Sequence, residues 1–174
     1  ECELATIHCE GGATDAGTHF VAVARQIESV VAALPLSMVD GRFSVGLREC
    51  TPRVFVLFPI LGTESLGLPA VLQSKQFEPV EDRDGIWLNG TSPTAATNRD
   101  LVESGMRSMM LLIETASALK WLHTDRLLAF DTSKRGWIDE EWLVRLLARV
   151  LDQVETVSLV PTVGGGWVPP RMAW

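Results

Sequence analysis

The stretch Phe55-Val-Leu-Phe-Pro-Ile-Leu-Gly-Thr-Glu-Ser-Leu-Gly-Leu-Pro-Ala-Val-Leu-Gln-Ser-Lys-Gln-Phe-Glu-Pro-Val-Glu-Asp-Arg-Asp-Gly-Ile-Trp-Leu88 has a strand-loop-strand layout. Val54 to Ile60 is apolar at nearly every position, which predicts a central strand covered on both faces. Gly62 to Gly67 reads as a loop and Ala70 to Gln73 as a second short strand. Glu78 to Gly85 is a charged loop, and Ile86 to Leu88 a short strand after it.

Upstream, Leu4 to Cys9 is apolar and β-branched enough for a strand. Gly11-Gly12 and Asp15-Ala16-Gly17 mark a turn, and His19 to Arg25 alternates as the hairpin partner. Gln26 to Leu34 fits either a strand or a short helix, and Pro35 would stop such a helix. Asp40-Gly41 is a turn signal before a strand from Arg42 to Leu47. Downstream, Asn89 to Thr97 reads as a linker, and a helix is expected from Arg99 to about Leu122. Thr97 or Asn98 would cap it, with Asp100 and Glu103 in its first turn. Val102, Met106, Met109, Ile113 and Ala116 follow its buried face, widened by Leu101, Leu112, Leu119 and Leu122. Met106, Met109 and Met110 fit either plain core or an adaptable binding surface. Thr132 to Gly136 reads as a turn. A second helix is expected from Asp139 to Val154, with Glu141 and Arg145 paired at i,i+4. Leu143, Leu147, Leu151 and Val154 form one apolar stripe on it, and Trp142, Leu146 and Val150 a second.

Strands first and helices after predict an α+β fold. The expected arrangement is a mixed or antiparallel sheet in the N-terminal half with two main helices packed on it. Residues 1–92 form the strand-rich part and 93–158 the helical part of the same domain. Residues 159–174 form a Gly/Pro-rich tail with no closing element. That tail and the abrupt start at Glu1 are what an excised piece of a longer protein would show.

The 174 residues are 47% hydrophobic and 21% charged, enough for a real core and against disorder. A net charge of −7 with scattered basic residues disfavours direct nucleic-acid binding. Cys2, Cys9 and Cys50 lack metal or disulfide spacing and read as reduced, cytoplasmic thiols. No apolar run is long enough to span a membrane. Asn89-Gly90-Thr91 matches a glycosylation acceptor, a short pattern that chance often produces.

Few residues are candidates for chemistry. Arg83 sits in the polar loop Glu81-Asp82-Arg83-Asp84-Gly85. Its planar fork could reach a phosphate presented by another domain, or it could form surface pairs of little energy. His8, Cys9, Glu10 and His19 fall near the first turn. Adjacent strand residues face opposite sides, so these read as packing and not as a metal site. His123, beside Asp125, reads as a helix-end residue, since no Gly-x-Ser-x-Gly elbow accompanies it. Gly164-Gly165-Gly166 lacks the Lys-Ser/Thr and helix of a P-loop and reads as flexible tail. Neither a catalytic residue nor a metal ligand is assigned.

In order along the chain stand Phe58-Pro59-Ile60-Leu61-Gly62-Thr63-Glu64, Gly67-Leu68-Pro69, Phe77, Arg83, Ile86 and Trp87. This succession resembles the region just downstream of the ATP-binding domain in sacsin-like, Hsp90-type bacterial ATPases. The likeness covers about a third of the chain and continues weakly through Asn98 and the helix after it. It implies a middle, transducer-type domain, inactive alone, docking on an upstream ATP-binding domain and coupling nucleotide state to protein remodelling. It further implies a basic residue, Arg83 or Lys75, that senses the terminal phosphate. The same likeness implies ATP and Mg in the parent protein, a protein client, a cytoplasmic setting and a homodimer of the parent. The family's ATP-site motifs do not occur in these 174 residues, so no cofactor is expected here. A reading of another class stands beside it: a self-contained protein-interaction module using the second helix or the Met-bearing one.

Overall fold

The computed structural model describes residues 6–8, 13–14, 17–27, 29–128 and 136–173. It shows an α+β domain, with a mixed sheet in the N-terminal half followed by two main helices. The expected turn residues 11, 12, 15, 16 and 132–135, together with Cys2, Cys9 and Glu10, lie outside the described residues.

Strand β1 (Thr6–His8) pairs antiparallel with β3 (Gly17–Ile27), and β2 (Ala13–Thr14) folds back on the start of β3. In the ambiguous segment from Gln26 to Leu34, residues 26–27 and 30–34 are strand and Ser29 is a turn. The segment closes β3 and opens β4 (Val30–Val39), the sheet's central strand. Pro35 therefore stops no helix and lies within β4. Its carbonyl accepts from the Gly46 amide at 2.8 Å. In a strand the missing N–H points the same way as that carbonyl. There β7 (Val71–Gln73) pairs only with Val31 to Ala33, and β5 (Arg42–Val45) begins at Leu36. The proline thus sits in a gap in the ladder, where no donor is lost. Asp40 and Gly41 both take positive φ, 49° and 75°, as a two-residue hairpin of right-handed twist requires.

The expected central strand from Val54 to Ile60 is corrected. Only Val54–Phe55 is strand, β6, and it lies at the sheet's edge, parallel to β7. The chain then doubles back, with Phe55 bridged to Pro59 and the Ile60 amide donating to the Val54 carbonyl at 2.9 Å. A proline cannot extend a ladder as a donor, so the apolar run turns outward instead of continuing. Ile86 to Leu88 is likewise no strand: only Ile86 bridges, to Pro79.

Helix α1 (Pro93–Ala118) starts six residues earlier than the spacing indicates. Ser92 is the cap, its hydroxyl accepting from the Ala95 amide at 3.1 Å, and Pro93 fills the first turn. Asp100 and Glu103 therefore fall beyond the first turn. The helix covers the face of Ala22, Ala32, Leu34 and Leu72, where small side chains allow close approach. At Gly105 a Cβ would stand 2.8 Å from the Leu72 side chain. All five residues of the expected stripe are buried, Met106 and Met109 among them, so those two methionines are core. Each of the stripe's valine, methionine and isoleucine side chains contributes about 1.5–3 kcal/mol. Leu119 is exposed and Leu122 lies beyond the helix. Lys120, at φ 53°, closes the end: the Trp121 amide reaches the Ala116 carbonyl and the Lys120 amide that of Ser117. Trp121 then stacks edge-on to Phe43.

Helix α2 (Glu140–Val154) is capped by Asp139, whose carboxylate accepts from the Trp142 amide at 2.9 Å. Trp142, Leu143, Leu146, Leu147, Val150 and Val154 are buried, and the Trp142 indole donates to Glu103 of α1 at 3.0 Å. The Arg145–Glu141 pair forms at 3.4 Å on open surface. Asp139→Ala is expected to cost about 1–2 kcal/mol in urea unfolding, since the cap and the Arg99 contact at 3.6 Å both go. Arg145→Ala should cost no more than about 0.5 kcal/mol.

The tail is corrected too. β8 (Val160–Pro161) and β9 (Trp167–Val168) form a small hairpin, with Gly165 at φ 79° in its turn. Gly164 to Gly166 are thus turn residues and no loose end. Among the described residues, no helix is long and apolar enough to cross a membrane.

Candidate functional site

Two loops at the β6–β7 edge carry the residues singled out from the sequence. The first, from Val56 to Gly67, is held from inside by Thr63. Its hydroxyl donates to the Ile60 carbonyl at 2.6 Å and accepts from the amides of Arg53 and Val54 at 3.0 and 3.1 Å. A short 3-10 turn, Thr63–Leu66, sits between Gly62 and Gly67, both left-handed. With its base pinned, the loop turns its apolar residues outward: Leu57 is 67%, Phe58 77% and Leu61 66% exposed. One loop thus exposes three large apolar side chains, a feature that contact surfaces share.

The second loop, from Pro79 to Ile86, is a tight hairpin. The Val80 amide donates to the Gly85 carbonyl and the Arg83 amide to the Val80 carbonyl, each at 3.0 Å. Arg83 stands at its tip with φ 55°, exposed, and its guanidinium forms no hydrogen bond or ion pair among the described residues. Lys75 is exposed in the turn after β7 and is equally unpaired among the described residues.

The two loops touch. A Cβ on Gly62 would lie 2.4 Å from the Asp84 carbonyl oxygen, so only a glycine lets the backbones meet. On its other side the Arg83 loop meets Trp137, whose ring would be 2.2 Å from a Cβ on Gly85. The Leu88 amide also donates to the Trp137 carbonyl at 2.9 Å. Trp137 is buried and lies two residues before the α2 cap. The hairpin bearing Arg83 is thus lodged between the apolar loop and the leading end of α2.

Asn98 holds this hairpin to α1. It is fully buried, not a cap residue. Its amide nitrogen donates to the carbonyls of Glu78 and Trp87, at 2.9 and 3.0 Å, and its oxygen accepts from the Glu78 amide at 3.0 Å. Both feet of the hairpin are therefore tied to one side chain. Of the other motif residues, Leu68, Pro69, Phe77 and Ile86 are buried and Trp87 is exposed.

Sequence reasoning placed Arg83 in a polar loop and missed Asn98, Gly62 and Trp137 as its supports. A signal existed for Asn98: it lies four residues before Val102, on the same stripe. His123 lies past the end of α1 at φ 55°, and its Nδ1 stands 2.8 Å from the buried Ser44 hydroxyl. That contact clips the chain after α1 onto β5, next to the Val45 amide bond to the Leu122 carbonyl. Among the described residues, no group of three His, Cys, Asp or Glu side chains could hold a metal ion.

Comparison with protein-family models, with curated proteins and with solved structures finds no match to this chain.

Proposed function

We propose that this chain is the middle, transducer-type domain of a cytoplasmic sacsin-like or Hsp90-like ATPase. It docks on an upstream ATP-binding domain of the same protein and couples nucleotide state to remodelling of a protein client. The observation that carries this reading is the placement of Arg83, an unpaired guanidinium on a hairpin wedged between an exposed apolar loop and α2. Leu57, Phe58 and Leu61 supply the docking contact, and Arg83 meets the terminal phosphate. ATP and Mg belong to the upstream domain. What this chain adds is a positive fork where charge develops on the transferred phosphoryl group. Because the hairpin also leans on Trp137, docking biases the position of α2. Nucleotide shifts that equilibrium only by the contacts it adds in the docked state.

For the interaction-module reading, Met106, Met109 and most of the apolar face of α2 are buried, while Met110 is half-buried and Val144 exposed. The Leu57–Leu61 loop is a further surface open to it.

The test is ATP turnover by the full protein with its upstream domain. Arg83→Ala should lower turnover by about tenfold or more without lowering Tm, because the side chain is exposed and unpaired. Lys75→Ala should leave turnover within about twofold of the unaltered protein. The opposite ranking would move the sensor to Lys75. A full protein that neither binds nor hydrolyses ATP would overturn the family reading.

A further inference from the structure

Where β7 has ended and β5 begins, the side of β4 opens into a cleft of about 900 Å³. It shares no lining residue with the Arg83 hairpin and stands independently of the function proposed above. Pro35 and Leu47, both half-buried, give it an apolar wall. Three guanidinium groups from three chain segments, Arg48, Arg53 and Arg126, also line it. None of the three pairs with a carboxylate among the described residues.

Arg53 is the anchor. It is only 7% exposed, and one of its terminal nitrogens donates to the carbonyls of Arg48 and Thr51, at 3.1 and 2.6 Å. Its Nε is buried with no partner among the described residues. Burial lowers its pKa from the ordinary value, against the pull of Glu64 and Cys50. A buried cation with no carboxylate beside it is costly to keep, and the negative charge of an oxyanion in the cleft would offset that cost. Arg126 is steadied by a 2.8 Å bond to the Val45 carbonyl, and Arg48 is exposed. On a chain of net charge −7, this is a local excess of positive charge, with Glu49 on the rim as its one acidic lining residue.

We infer that this cleft binds a small phosphorylated molecule, its phosphoryl oxygens held by Arg53, Arg48 and Arg126 and its body laid on Pro35 and Leu47. Phosphate presents oxygens in several directions, so forks arriving from different segments can share it. One fork already occupies both oxygens of a carboxylate.

Sodium pyrophosphate is the probe, titrated calorimetrically at fixed ionic strength, with succinate as the carboxylate control. Saturable binding of pyrophosphate, tighter than succinate, is expected. The double variant Arg48→Gln, Arg126→Gln should weaken it about tenfold or more while keeping the cooperative thermal transition. Arg53→Lys, which keeps the charge but loses the fork, should weaken it as well. Arg145→Ala, on the open surface of α2, should not change it. The inference is overturned if pyrophosphate fails to bind, if succinate binds as tightly, or if the folded double variant binds as well as the unaltered chain.

Discussion

Asn98→Ala is expected to lower stability by about 2–4 kcal/mol, and to do so without a cavity of any size. The methylene stem is small, so the loss comes from hydrogen bonding. Three backbone groups lose their partner at once: the Glu78 amide, the Glu78 carbonyl and the Trp87 carbonyl. Each group left unsatisfied in a buried site costs about 1–3 kcal/mol, reduced where water can enter, as beside the exposed residues Glu78 and Trp87. Against a domain stability of about 5–15 kcal/mol this is a large fraction. Urea unfolding should show a lower midpoint at unchanged slope. Amide exchange should accelerate first at Glu78, Val80 and Arg83, because the hairpin is released before the core. Asn98→Asp sharpens the point. It retains an acceptor for the Glu78 amide and turns a carboxylate toward two carbonyls, so it should be no better than alanine. An aspartate variant as stable as the unaltered protein would show that the clamp carries no energy.

Gly62→Ala is the second large effect. The position takes φ 94°, which costs a residue with a Cβ about 1–2 kcal/mol. The added carbon would also sit 2.4 Å from the Asp84 oxygen, a backbone atom that cannot swing away as a side chain can. The Arg83 hairpin has to move, or the first loop has to unfold from Thr63. A loss of about 2–4 kcal/mol follows in thermal or urea unfolding. In the full protein, this variant should depress ATP turnover as Arg83→Ala does, although it leaves the arginine in place. Stability falls with Gly62→Ala and not with Arg83→Ala, and that difference separates displacement of the hairpin from loss of its charge.

Much of this architecture is legible in the sequence because it rests on local rules. Asp40-Gly41 fixes a hairpin through φ alone, and Asp139 announces α2 through the acidic turn behind it. The stripe from Val102 to Ala116 needs only the helical repeat. Other features depend on what meets what. The run from Val54 to Ile60 has the composition of a buried strand, yet Pro59 and Gly62 fold it outward. Ser92-Pro93 has the composition of a linker, yet it is the cap and first turn of α1, and Asn98 within that helix reaches Glu78. Arg83 could be placed in a polar loop from its neighbours, but its supports come from 21 residues upstream and 54 downstream, at Gly62 and Trp137. No spacing rule joins such distant residues. The cleft at Arg53 was equally hidden, because its three arginines are brought together only by the gap beside Pro35.

The most direct measurement is hydrogen exchange on the full protein, with and without a non-hydrolysable ATP analogue. Slower exchange is expected in the 56–62 and 79–86 segments and at the start of α2 when the analogue is bound, with the first two responses lost in a Leu57→Asp, Phe58→Asp variant. Protection confined to the upstream domain, with both loops and α2 unchanged, would contradict the account.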